Sequence, residues 1–129
     1  MSNTLTYTRL YPDDAGVSHF APFDIEVFLR EFAPPAAPFS VSALVPASRF
    51  GILHLPSGWV GDLHPSPLRM WIIVLSGEME FEAGDGEKRQ IIPGTALLLE
   101  DTIGMGHCSR VLGNNAAVLA VVHVQLHAE

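Results

Sequence analysis

Apolar and polar residues alternate over short stretches along most of this chain, and the runs are cut by glycine, proline, asparagine and aspartate. Helical spacing is scarce, so the pattern predicts strands. They fall at Leu5–Leu10, Val41–Val45, Phe50–Leu55, Leu68–Leu75, Glu78–Ala83, Lys88–Ile92, Thr95–Leu99, Gly106–Leu112 and Ala116–Leu126. The stretch "IEVFLREF" at 25–32 fits either a strand or a short helix. "APPAAPF" at 33–39 is no central strand, because proline lacks the ladder donor. It reads as an extended connection lying across the body of the domain.

The turn chemistry agrees with this reading. "EAGDGEK" at 82–88 places Asp-Gly between two strand-like runs, a strong hairpin signal. "IPGT" at 92–95 and "LGNNA" at 112–116 mark further reversals, and Ser76-Gly77 marks a tight turn. Many short strands at even spacing predict an all-β fold, a closed barrel or a two-sheet sandwich. The division predicted is an N-terminal strand and Pro-rich connecting segment over 1–39, packed on a barrel formed by 40–129.

At 129 residues the chain is long enough to bury a core of its own. Hydrophobic residues make up 48% and charged residues only 16%, a lean solvated surface that predicts one extra buried face, most simply a homodimer interface. The N-terminal strand Leu5–Leu10 is one segment expected to pair with a partner subunit. A net charge of −7 leaves no basic stripe for nucleic acid and disfavours an anionic membrane surface. The apolar run "AAVLAVVHV" is too short to span a bilayer, and the start lacks the pattern of a secretory signal. The expectation is a soluble, cytoplasmic protein. The single cysteine, Cys108, excludes an intrachain disulfide and a multi-cysteine zinc cluster.

Candidate chemistry gathers around "GDLHPSPLRMW" and "GMGHCSRV". Alternation puts Asp62, His64, Ser66 and Met70 on one side of an extended chain. His107 follows Gly104 and Gly106 into a second strand. Two histidines from separate strands, facing the mouth of a small barrel, are suited to share a ligand or a metal. Asp62, two residues from His64, is also placed to orient that imidazole as a general base. Cys108, next to His107, should point to the opposite face and pack as a small hydrophobe. His54 and His123 interrupt apolar strands and read as core or interface histidines or as extra ligands. Glu100 and Asp101 are either further ligands or anchors of the turn at Thr102–Gly104, with Asp101 accepting backbone N–H bonds.

These motifs resemble the cupin superfamily, in particular small single-domain, RmlC-like cupins. Gly58, His64 and Gly77 fall in register with the first cupin motif, with Ser66 at its second histidine and Met70 at its glutamate. "PGTALLLEDTIGMGH" at 93–107 is similar to the second motif, with Thr102 and Val111 replacing its proline and asparagine. "LSGE" and "EDTIGMGH" also look like a group of small cupins with no assigned activity. The resemblance covers roughly residues 40–126. It implies a jelly-roll (double-stranded β-helix) barrel with a metal held by His64 and His107 and completed by His54, Glu100, Asp101, His123 or water.

On that resemblance the chain would hold a divalent ion (Fe, Mn, Ni or Zn) and a small organic ligand, with dioxygenase-like or hydrolytic turnover. Ser66 and Met70 are poor ligands for such ions. Two alternatives follow from their presence. One is a metal-free barrel that binds or senses a small molecule; the other is a structural dimerisation module whose cavity is filled by Met70 and Trp71. An epimerase reading is weak, because Arg49, Arg69 and Arg110 are dispersed, leaving no diphosphate site.

Overall fold

The computed structural model describes residues 3–125, all of them in strands, turns or loops. The strands are β1 (Asn3–Pro12), β2 (Ser18–Arg30), β3 (Phe39–Ser42), β4 (Ala47–Leu55), β5 (Val60–His64) and β6 (Met70–Ser76). They continue with β7 (Glu78–Glu82), β8 (Lys88–Ile91), β9 (Ala96–Leu99), β10 (His107–Leu112) and β11 (Ala117–Val124). A seven-stranded sheet has the order β3-β2-β1-β9-β6-β11-β4, and a four-stranded sheet the order β5-β10-β7-β8. All neighbours are antiparallel except β1 and β9.

Alternation along each strand builds the core. In β6, Met70, Ile72 and Val74 are buried while Trp71 and Ile73 face outward. In β7, Met79 and Phe81 turn inward between exposed or half-buried glutamates. Leu10, Leu97, Leu99, Leu119 and Val121 of the large sheet meet Met79, Phe81, Ile91 and Val111 of the small one. Each fully buried aliphatic or aromatic side chain contributes about 1.5–3 kcal/mol, and the interlayer is continuous.

The structure sets the strand boundaries and pairings in detail. The ambiguous 25–32 stretch belongs to a long strand, β2, which begins at Ser18. Pro22 hides its first half from the sequence pattern. It is tolerated because β3 pairs only with Val27–Arg30, so β2 has no second neighbour at Pro22. The Pro-rich 33–39 stretch is then the tip of the β2–β3 hairpin, not a segment lying across the domain. The N-terminal strand pairs within its own chain, with β2 along its length and with β9 at Thr8–Leu10. Finally, β5 is a strand that the pattern did not predict, since "VGDLH" lacks apolar alternation. The predicted strand Ala116–Leu126 ends at Val124, and Leu126 lies outside the described residues.

The "LSGE" reversal also acts differently from a hairpin. β6 and β7 lie in different sheets, so Ser76-Gly77 carries the chain from one layer to the other. Gly77 has φ +76°, and a Cβ there would strike the Ala116 carbonyl. The Asp-Gly hairpin is as expected. Ala83 and Glu87 close it through an N–H···O bond of 2.9 Å, and the Asp85 carboxylate accepts from the Glu87 N–H at 2.8 Å.

Candidate ligand cavity

The sandwich opens at one end into a cavity of about 320 Å³. His64, Ser66, Met70 and His107 all line it, together with His123. Three separate devices bring the first four together. β5 and β10 pair antiparallel with His64 directly opposite His107, beside a bulge that shifts register before Ser109. Gly106 has φ +82°, and a Cβ on it would overlap the His64 carbonyl, so only glycine lets the two segments close. The third is the Ser66 N–H, which donates to the Asp101 carbonyl at 2.9 Å and ties the loop after β5 to the loop before β10.

His107 is 3% exposed and Asp101 fully buried. His107 Nδ1 lies 2.6 Å from Asp101 Oδ2, while Asp101 Oδ1 has no hydrogen-bond partner among the described residues. The expected role of Asp101 as a turn anchor is therefore corrected: its side chain holds a histidine. His64 Nδ1 lies 2.6 Å from the carbonyl oxygen of Asp62. A carbonyl only accepts, so His64 carries its proton on Nδ1. The expected pairing of His64 with the Asp62 carboxylate is replaced by this backbone contact.

The same reasoning applies to His107 when Asp101 is ionised. In both neutral rings Nε2 then bears the lone pair, and it is the nitrogen left for the cavity. The rings are 5.1 Å apart between centroids, and Phe81 packs on the other side of His107 at 5.4 Å.

The remaining candidates separate cleanly. Ser66 is buried and its hydroxyl donates to the Leu68 carbonyl at 2.7 Å, so its proton is spent on the loop. His123 lies on the inner side of β11, and its buried Nδ1 has no partner among the described residues. His54 faces away, since its neighbours Leu53 and Leu55 line the cavity. Glu100 is held outside by Arg9 at 3.1 Å and Arg69 at 2.9 Å. Arg69 is thus occupied by a carboxylate of its own chain. Cys108 points away from the cavity, and burial, then Glu82 and Asp62, push its thiol above the ordinary range. That disfavours a nucleophile.

Sequence reasoning missed Trp59 and Ser109, which also line the cavity. Ser109 was legible in principle, because it lies two residues from His107 on the same strand. Trp59 had no such signal, as it precedes a strand that the pattern did not show. Trp71 does not fill the cavity; it points to the outer face and packs edge-on against Tyr7 at 6.0 Å and Phe23 at 5.7 Å.

Two sheets curled around an end cavity, with the histidines on neighbouring strands of the small sheet, make this a cupin-like fold. It aligns with the cupin domain of Cnp3 from Schizosaccharomyces pombe over 93% of this chain and 87% of that one, with a TM-score of 0.51 and 13% identity. The conserved protein SPY1581 of unknown function from Streptococcus pyogenes matches 65% of this chain and 72% of its own, with a TM-score of 0.45 and 23% identity. A putative ethanolamine utilization protein Q from Salmonella typhimurium covers 97% of this chain and 99% of its own, with a TM-score of 0.38 and 12% identity. No family model and no curated protein matches the chain.

The metal implied by the cupin resemblance can be tested against the donors present. Among the described residues, no three or more His, Cys, Asp or Glu side chains converge to hold an ion. The cavity offers two neighbouring imidazoles, a third from His123 that does not converge with them, a thioether, the Ser109 hydroxyl and a Ser66 hydroxyl already donated to backbone. Zinc sites supply three or four protein ligands, and harder divalent ions favour oxygen donors. The donor set does not fit Fe, Mn, Ni or Zn. No helix among the described residues is long and apolar enough to cross a membrane.

Proposed function

We propose that the protein is a metal-free binding barrel that takes one small, largely apolar molecule carrying a hydroxyl. The observation that carries this reading is the pair of imidazoles anchored through Nδ1 at the end of a largely apolar cavity. The volume, about 320 Å³, lies at the lower end of the range for small-molecule sites. Leu53, Ile72, Leu119 and Val121 would cover the apolar body of the ligand. A ligand hydroxyl donates to Nε2 of His64 or His107, each an acceptor as long as the ring is neutral. Trp59 and Phe81 supply flat surface for an aromatic ring.

A binding role suits this geometry better than turnover. Asp101 fixes His107 in orientation, as an orienting carboxylate does for a base, but no carboxylate lines the cavity beside it to serve as a general acid. Titration with 1-naphthol and naphthalene, followed by Trp fluorescence or NMR, tests the reading. The expected result is saturable binding of 1-naphthol about fivefold tighter than naphthalene, as one hydrogen bond of roughly 1 kcal/mol provides. That preference should vanish in the His64→Ala/His107→Ala double variant. Absence of saturable binding by either probe would overturn the proposal. So would near-stoichiometric metal, found by elemental analysis and lost in the double variant.

A further inference from the structure

The two walls of the cavity carry different polar groups. His64 and His107 stand on the small sheet, each with Nδ1 already committed. On the opposite wall, Leu119, Val121 and His123 follow one another along the inner side of β11. Leu119 and Val121 are buried and His123 is half-buried, so the strand runs from the core towards the mouth. Even there, His123 Nδ1 is buried, with no hydrogen-bond partner among the described residues. A buried ring nitrogen is destabilising until something polar meets it.

The neighbouring edge strand, β4, supplies a second group. Its register sets Leu53 opposite Leu119, Gly51 opposite Val121 and Arg49 opposite His123. Directly opposed residues share a face of the sheet, with Cα atoms roughly 4.5–5.5 Å apart. Leu53 lines the cavity, so alternation along β4 puts Arg49 on the same inner side, at the rim. Gly51 between them has no side chain and leaves that rim low. Arg9, Arg69, Arg89 and Arg110 are each paired with a carboxylate, whereas Arg49 is exposed and has none among the described residues.

We infer that the ligand of this cavity is a hydroxylated apolar carboxylate, its hydroxyl meeting His64 or His107 and its acid group meeting Arg49 and His123. This rests on the binding reading above and names the second end of the molecule. A guanidinium beside an imidazole N–H offers a charged fork and one further donor, which suits a carboxylate. The chemistry of the two walls sets the orientation. The free Nε2 atoms of His64 and His107 are acceptors, so they take a hydroxyl and oppose a carboxylate; Arg49 only donates. At the rim the acid group keeps contact with water, so its charge is not fully desolvated. Packed sheets lie about 10 Å apart, a gap that an aromatic bicycle substituted at both ends can cross.

Calorimetric titration of the full chain with 2-naphthol and with 6-hydroxy-2-naphthoate tests the inference, alongside Arg49→Gln and His123→Phe. The wild type should bind the naphthoate about tenfold tighter than 2-naphthol, as charge-assisted hydrogen bonds provide. Each variant should lose most of that gain while its affinity for 2-naphthol stays the same. Added salt should weaken the naphthoate and leave 2-naphthol unaffected, since Arg49 is exposed. A naphthoate that binds no tighter than 2-naphthol overturns the inference and leaves the binding reading standing, and so does a gain that either variant keeps. Absence of saturable binding by both probes overturns the two together. Should His123→Phe fail to fold, Arg49→Gln decides alone, because an exposed side chain on an edge strand is not part of the core.

Discussion

Two histidine–aspartate contacts of nearly equal length sit in opposite surroundings. His107 Nδ1 meets Asp101 at 2.6 Å inside the domain, and His19 Nε2 meets Asp13 at 2.7 Å at its surface. The difference lies in the second nitrogen. His19 Nδ1 also meets Asp85, at 2.9 Å, so the ring bridges the β1–β2 and β7–β8 turns and keeps no nitrogen free. A ring that donates from both sides to carboxylates carries the proton pair and the charge. Asp13, then Asp85, hold its pKa above the ordinary 6.5. His107 has only one partner, and its other nitrogen is left for the cavity. The comparison separates a clamp from a site: what matters is the count of committed nitrogens, since the pairing is common to both.

The largest effect should come from breaking the buried contact. Asp101→Ala leaves the buried His107 N–H without its acceptor and opens a void, and unfolding in urea should show a loss of about 2–3 kcal/mol, as for a buried donor left unsatisfied. A loss below roughly 1 kcal/mol, no more than one ordinary hydrogen bond, would mean that Asp101 does not hold the ring. Next comes Asp101→Asn, whose amide oxygen still accepts from Nδ1. Its cost should fall to about 1 kcal/mol, and the preference for 1-naphthol should persist. If the preference disappeared at that small cost, the carboxylate charge, not orientation, would be what the ligand feels.

His64→Ala should come third. The ring is exposed and anchored only to its own strand, so stability should drop by no more than about 1 kcal/mol, the size of one such hydrogen bond. Binding selectivity should fall with it, separating ligand contact from folding.

The smallest effect belongs to the surface clamp. A histidine with a raised folded-state pKa contributes stability that is full below 6.5 and is lost as pH rises through its folded value. Asp13 and Asp85 are lowered from 3.8, mainly by the His19 hydrogen bond and by the Glu87 N–H respectively. Their contribution is present above 3.8 and lost as pH falls through the folded values. The melting-temperature gap between wild type and His19→Ala should therefore be widest between about pH 4 and 6.5 and narrow above it. A gap that is flat with pH would mean that the bridge is not ionic.

Much of this was legible in advance for a physical reason. Alternation reports which side of a strand is buried, so β6, β7, β10 and β11 could be read directly, while His64 and His107 stood out through the resemblance of their motifs to those of cupins. β5 was not legible, because its pairing with β10 compensates for a sequence without apolar alternation. His19 drew no attention, since its partners lie in turns at positions 13 and 85 and nothing local links them.

By itself, then, the sequence determined the all-β class, the Asp-Gly hairpin, and the side of the chain on which His64, Ser66 and Met70 stand. These are consequences of short-range geometry: a two-residue repeat and the turn preferences of glycine and aspartate. Only the tertiary structure decided which ring nitrogens are free. It paired His107 with Asp101, took Glu100 out to Arg9 and Arg69, turned Trp71 away from the cavity, and set Arg49 opposite His123 across β4 and β11. Each of these depends on register between strands distant in the chain. One residue of slip reverses which side chains face each other.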